Sequence, residues 1–249
     1  GAGIQADLKT FALEGVHGTA AITCLTAQNP ARVTGILACP PQFVRKQLEA
    51  VFELLPPDAA KTGMLFSPGI VREVHEFFSA APPLPVVVDP VMISTSGARL
   101  LSPRAERAIQ DLLLPGAALV TPNLDEAAVL IGERIVDVEG LAVAARKVHA
   151  RWGCPALIKG GHLRGLRQAV DVLFDGRKEH HLTAPYVRGV STHGTGCTYS
   201  AAIAAGLAKG NSLVEAVRSA KALITQAIRN SVRIGRRCTA LGVTGKLLS

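Results

Sequence analysis

The sequence predicts an α/β protein built on a mostly parallel sheet, and two observations carry that reading. Three apolar runs, residues 85–88, 117–120 and 156–158, show no alternation of apolar and polar positions, and each runs into a polar or glycine-containing motif. Strands of that kind are buried on both faces, as in a parallel sheet covered by helices. Helical patterns lie between them, over residues 102–114 and 138–151. The 249 residues, 48% hydrophobic and 18% charged, are enough for one domain of this type spanning 1–249, and no linker or internal repeat divides them.

The other elements follow in order. Residues 1–14 read as a helix, with Ile4, Leu8 and Phe11 on one face and Gly15 to end it. A chain that opens on Gly-Ala-Gly is expected to lack a preceding strand and loop, because such a turn ordinarily follows a strand. Residues 20–25 are a buried-strand candidate, with Thr26, Ala27, Gln28, Asn29 and Pro30 at its carboxyl end. Residues 41–54 form a helix along Phe43, Val44, Gln47, Leu48 and Val51, and residues 60–64 a short strand running into a loop. Ser67-Pro68 opens a helix by cap and proline. Residues 169–174 and 178–182 read as a β-pair around Asp175-Gly176. The turn at 192–197 (THGTGC) opens a helix running to Gly206 or Gly210, and Ser212 with Glu215 forms a capping box for a helix to about residue 228. Residues 233–249 carry no strong pattern.

Several classes drop out. No uninterrupted apolar run is long enough to span a bilayer. Five widely spaced cysteines, with no CxxC pair, argue against a disulfide framework or zinc site and for a reducing compartment, expected to be the cytoplasm. The net charge of +8 includes Arg218, Lys221, Arg229, Arg233, Arg236 and Arg237, read as a solvated surface. Only 4% of residues are aromatic and no basic–aromatic stripe occurs, which turns the reading away from nucleic acid. Two nucleotide signatures are missing: a GxxxxGK[ST] loop, and a GxGxxG after an early strand.

The chemistry centres on residues 192–197. Gly194 and Gly196 remove side chains where a ligand comes close. A helix's first-turn amides, with the positive end of its dipole, bind anions, and Cys197 at that end is expected to have a lowered thiol pKa. The plain alternative is a tight helix start with a buried structural cysteine. Ligands of open α/β sheets bind beyond the strands' carboxyl ends, so Asp89, Asn123, Glu126 and Lys159 are expected along one rim.

Taken together, residues 1–10 (GAGIQADLKT), 25–29 (LTAQN), 61–64 (KTGM), 88–92 (VDPVM), 121–123 (TPN) with Glu126, 159–162 (KGGH) and 192–197 closely resemble the hydroxymethylpyrimidine/phosphomethylpyrimidine kinases, thiamine-pathway members of the ribokinase-like superfamily. The resemblance runs from residue 1 to about 230. Two features depart from it: the first strand and its Ser-Asp-rich loop are absent, and the tail lacks a Gly-His-Gly-Pro ending. The resemblance implies a three-layer α/β/α fold with a mostly parallel central sheet. It implies transfer from Mg-ATP to 4-amino-5-hydroxymethyl-2-methylpyrimidine and then to its monophosphate, and it implies a homodimer. Gly194, Thr195, Gly196 and Cys197 would hold the transferring phosphoryl group, with Lys159 neutralising the ATP phosphates. Asn123, Lys159 and Thr195 would meet the nucleotide, and Asp89 and Glu126 would orient Mg²⁺ through water. Gly3, Asp7, Gln28 and Met64 would contact the pyrimidine, with Val91 walling the pocket.

Plainer readings stand beside these. Asp89 before proline can be a strand-end turn. Glu126, three residues after Asn123, can be a helix cap. Met64 can be core, and Asp7 can simply favour a helix N-terminus. His162 and His193 read as loop hydrogen-bonders and Lys9 as solvated. The rival functions are a vitamin B6 (pyridoxal) kinase or an enzyme with both specificities, a thiol-dependent acyl transferase using Cys197, and a non-catalytic pyrimidine-binding regulator.

Overall fold

The computed structural model describes residues 1–29, 32–92, 100–163, 165–187, 193–234 and 238–243. In chain order these form α1 (Ile4–Leu13), β1 (Cys24–Asn29), β2 (Arg32–Ala38), α2 (Pro41–Leu54), β3 (Ala60–Thr62), α3 (Pro68–Ala80), β4 (Val86–Val88) and α4 (Pro103–Ala108). A wider turn over Ile109–Leu113 and a tighter one over Leu114–Gly116 extend α4. The chain continues as β5 (Leu119–Val120), α5 (Leu124–Ile131), α6 (Val138–Trp152), β6 (Ala156–Ile158), β7 (Gln168–Phe174), β8 (Glu179–Pro185), α7 (Thr195–Ala208), α8 (Leu213–Arg229), β9 (Val232–Ile234) and β10 (Cys238–Ala240).

The sheet runs β3-β4-β5-β6-β7-β8. Its first four strands are parallel, and β7 and β8 close one side antiparallel. Strand side chains alternate between faces, and here both faces are apolar. Val88, Val120, Ile158 and Val172 belong to one buried core, with residues of α2 through α6. Val87, Leu119, Leu157 and Leu173 belong to the other, with residues of α7 and α8. Burial on both sides explains why β4, β5 and β6 lack polar positions, and it makes three layers, as expected.

The caps were readable. Ser67 accepts from the Ile70 amide and Ser102 from the Ala105 amide, while Ser212 and Glu215 cap α8 reciprocally. Two expectations need correcting. Residues 20–23 are not a strand, and β1 starts at Cys24 with five of its six residues exposed. It pairs with β2 in a separate antiparallel ribbon that had not been foreseen. Among the described residues no second layer covers this ribbon, so apolar character did not mean burial there. Lys221, read as surface, is 9% exposed and paired with Asp171 at 2.6 Å. Of the patternless tail, residues 238–240 pair with β9. Pro30, Thr192, Arg236, Arg237 and residues 244–249 lie outside the described residues.

Candidate active site

The parallel ladder sets the rim. The Asp89 amide bonds the Thr62 carbonyl (3.2 Å), the Thr121 amide bonds the Val88 carbonyl (3.0 Å), and the Lys159 amide bonds the Pro122 carbonyl (2.9 Å). Each side chain therefore stands at or just past the carboxyl end of its strand. Asp89, 3% exposed, is held on both oxygens: Thr121 Oγ1 (3.1 Å) and Lys159 Nζ (3.2 Å) donate to Oδ1, and Ser200 Oγ (3.1 Å) donates to Oδ2. Burial pushes this carboxyl up, but Lys159 and Lys61 outweigh it and keep Asp89 below its ordinary value. The same neighbourhood holds the Lys159 ammonium above its ordinary value against burial, through Asp89 and then Glu126.

The first turn of α7 closes over this pair. Gly194 caps it with φ +85°, a conformation that favours glycine, and a Cβ there would stand 2.7 Å from the Gly1 carbonyl oxygen. A Cβ on Gly196 would lie 3.3 Å from Lys159 Nζ and 3.9 Å from Asp89 Oδ2. The glycines thus let the turn approach the charged pair. Thr195 lies in the same turn, but the wall of the cleft passes from Gly194 to Gly196 without it.

Glu126 fills two roles. Asn123 Oδ1 accepts from the amides of Asp125 (2.9 Å) and Glu126 (3.0 Å), and Glu126 Oε2 accepts from the Asn123 amide (2.9 Å), a complete capping box. The same carboxyl also faces the rim, where the Met92 amide lies 3.5 Å from Oε1. Burial, opposed by Lys159 and reinforced by Asp89, raises its pKa to about 7.

The residues expected to meet the acceptor lie across the turn. Gly3, at φ +60°, caps α1 and donates its amide to Cys197 Sγ at 3.4 Å. One turn on, Asp7 binds Lys61 Nζ through both oxygens, at 3.0 and 3.1 Å. Thr23 Oγ1 donates to the Met64 carbonyl at 2.7 Å, and Met64 belongs to neither buried core among the described residues. Gln28 is exposed on β1, where Thr26 Oγ1 donates to its Oε1 (3.4 Å), and Val91 is half-buried. These residues share one cleft of about 2020 Å³ with Asp89, Asn123, Glu126, Lys159 and Cys197. The expected lowering of the Cys197 pKa is corrected: burial, only partly offset by Lys61, lifts the thiol above its ordinary value. His162 is exposed at the cleft and Lys9 is solvated.

Sequence reasoning gave no role to Lys61, Thr121 or Ser200. Lys61 had a signal, being a lysine on a short strand ahead of a glycine loop, much like Lys159. Ser200 had a weaker one, three positions after Cys197 on the same helix. Asp171 had none: it sits mid-strand, yet it accepts from the Gly160 amide at 2.9 Å and so fixes the turn that follows Lys159.

The comparisons decide the family. A family profile described as Phosphomethylpyrimidine kinase matches residues 1–242. The chain belongs to the phosphomethylpyrimidine kinase family. It is a phosphotransferase of the ribokinase-like fold. It is 48% identical over 238 residues to the hydroxymethylpyrimidine/phosphomethylpyrimidine kinase of Streptomyces coelicolor, covering 94% of this chain and 86% of that protein. It is 46% identical over 236 residues to the thiamine biosynthesis bifunctional protein ThiED of Geobacter sulfurreducens, covering 95% of this chain and 48% of that longer protein. Among solved structures, an ADP complex of Bacillus subtilis pyridoxal kinase superposes with a TM-score of 0.91 at 36% identity, covering 100% of this chain and 94% of that one. The phosphomethylpyrimidine kinase of Clostridium difficile superposes with a TM-score of 0.80 at 40% identity, covering 92% and 94%.

Proposed function

We propose that this kinase phosphorylates 4-amino-5-hydroxymethyl-2-methylpyrimidine, and then the resulting monophosphate, from Mg-ATP in thiamine biosynthesis. The observation that carries it is the Asp89–Lys159 pair under the glycine turn of α7, with Gly3, Asp7 and Cys197 of an acceptor pocket on the turn's other side. Phosphoryl transfer is mostly positioning and charge stabilisation. Lys159 and the first-turn amides of α7 stabilise charge on the γ-phosphoryl group. Asp7 and Gln28 present acceptors and donors to the aminopyrimidine edge.

Magnesium fits the residues present. Glu126 and Asp89 are buried carboxylates; burial raises the pKa of the former and Asp89 adds to it, and a cation between them would relieve both. No cluster of three or more His, Cys, Asp or Glu side chains that could hold a metal occurs among the described residues. The two carboxylates would therefore share the ion with phosphate oxygens and water. When bound, Mg²⁺ neutralises phosphate charge.

Cys197 is the acceptor-side residue. A hydroxymethyl group must lose a high-pKa proton, whereas a phosphate monoester, with a second pKa of about 6, is already largely ionised. ADP release is to be measured with the free pyrimidine, its monophosphate and pyridoxal. Wild type is expected to prefer the two pyrimidines, and Cys197→Ala to lose more activity on the free alcohol than on the monophosphate. Equal losses would mean that Cys197 takes no part in removing the alcohol's proton. A preference for pyridoxal would instead favour the B6 reading, for which the TM-score of 0.91 to a pyridoxal kinase speaks.

The enzyme is proposed as a cytoplasmic homodimer. The cytoplasm rests on the free cysteines Cys24, Cys39, Cys154 and Cys197; export of a tagged full-length chain would contradict it. The dimer rests on Leu25 and Leu37, cross-strand partners on the β1–β2 ribbon that are 57% and 67% exposed. No helix among the described residues is long and apolar enough to cross a membrane.

A further inference from the structure

Lys61 takes no part in the donor chemistry above, yet it is the cation of the acceptor half. Its side chain is 5% exposed on β3, with Nζ on both oxygens of Asp7. Asp7 is tied to the thiol by a short path: its amide bonds the Gly3 carbonyl (3.0 Å), and the Gly3 amide bonds Cys197 Sγ (3.4 Å). The groups whose charge reaches Lys61 are Asp7, Cys197 and Asp89, all lining the same cleft. A Cβ on Gly63 would meet Nζ at 3.6 Å as its nearest neighbour, so the glycine leaves space beside the ammonium.

The two acceptors of the proposed reaction differ at one place. The first presents a neutral hydroxymethyl group to the turn of α7. The second presents a phosphate monoester carrying about −1.5 to −2 charge at pH 7. That charge must enter a pocket bounded by Asp7, Asp89 and Glu126, where an uncompensated anion is costly. Lys159 is already engaged by Asp89 and is needed for the donor phosphates. Lys61 has three N–H donors, and Asp7 does not use them all.

We propose that Lys61 is the residue that admits a phosphate monoester as acceptor, its ammonium shared between Asp7 and the incoming phosphate. This rests on the acceptor reading given under Proposed function. Lys61 then sets specificity for the second phosphorylation, while Asp7 serves the ring in both.

The experiment measures kcat/KM for the free pyrimidine alcohol and its monophosphate in wild type, Lys61→Met, Lys61→Arg and Asp7→Asn. Lys61→Met is expected to lower the monophosphate value at least about tenfold more than the alcohol value, mainly through KM, since a charge-assisted hydrogen bond is lost. Lys61→Arg restores most of the ratio. Asp7→Asn lowers both values but leaves the monophosphate-to-alcohol ratio unchanged or raised, because it frees the ammonium. Equal losses on both substrates in Lys61→Met would make Lys61 a mere partner of Asp7 and overturn the proposal. A falling ratio in Asp7→Asn would overturn it too, and that arm decides the matter if the Met variant does not fold. Wild type that turns over neither pyrimidine sinks the acceptor reading as well. Wild type that turns over both, with a ratio that Lys61→Met does not move, sinks this inference alone.

Discussion

At the scale of single residues, Glu126 is the most instructive, because one carboxyl caps a helix and also faces a buried aspartate. Its pKa stands at about 7 against 4.5 in an open chain, so the folded protein binds a proton that the unfolded chain releases as pH climbs from 4.5 to 7. Ionised Glu126 therefore costs stability, and the cost grows through that window and levels off above it, reaching up to about 3 kcal/mol. Glu126→Gln keeps an oxygen for the cap and loses the charge. Metal-free, its melting temperature is expected to gain on wild type from pH 5 to about pH 7 and to level off by pH 8. A difference that stays constant with pH would contradict the assigned cause. Asp89 behaves oppositely: held low by Lys159 and Lys61, it stays ionised throughout that range. The pair splits one pocket into a charged carboxylate and a titrating one, which would suit the magnesium proposed to enter and leave with the nucleotide.

At the scale of elements, what was legible depended on whether an element's surroundings could be inferred from its own pattern. β4, β5 and β6 could be read, because burial on both faces writes an unbroken apolar run into each. The helices starting at Ser67, Ser102 and Ser212 could be read, because a cap is a local hydrogen bond between near neighbours. Asp89 and Lys159 could be placed on one rim, because strand ends in a parallel sheet face the same way. β1 and β2 could not, since their residues contribute to neither buried core among the described residues and so follow no burial pattern. Leu25 and Leu37 face each other across the ribbon, both exposed, in a pairing that two strands alone hold only weakly. Lys221 was misread for the reverse reason: its partner Asp171 lies 50 residues earlier on another layer. Asp171 itself was invisible, because a mid-strand aspartate gives no hint that it holds the Gly160 amide. If the ribbon is a dimer face, Leu37→Asp should convert a sedimenting dimer to monomer at micromolar concentration. A wild-type monomer, or a variant that sediments as wild type does, would remove that role.

At the scale of the molecule, the layers explain why the site exists where it does. Two apolar cores cover the sheet on both faces, the charged side chains of the candidate site gather at its carboxyl rim, and α7 is laid down with its first turn over that rim. The charges there are paired: Lys61 with Asp7 on the proposed acceptor side, Lys159 with Asp89 on the proposed donor side, and Cys197 at the turn between them. On the roles proposed above, each lysine would serve one half of the reaction, which would make a two-step transfer chemically reasonable in a single cleft.

The proposed transfer is tested most directly by where the γ-phosphoryl group goes. Phosphorus NMR of wild type with Mg-ATP and the pyrimidine monophosphate should show ADP and the pyrimidine diphosphate rising together, one for one. Folded Lys159→Met should slow both at least about 100-fold. ADP that accumulates without an acceptor-linked diphosphate, or a Lys159→Met enzyme close to the wild-type rate, would contradict it.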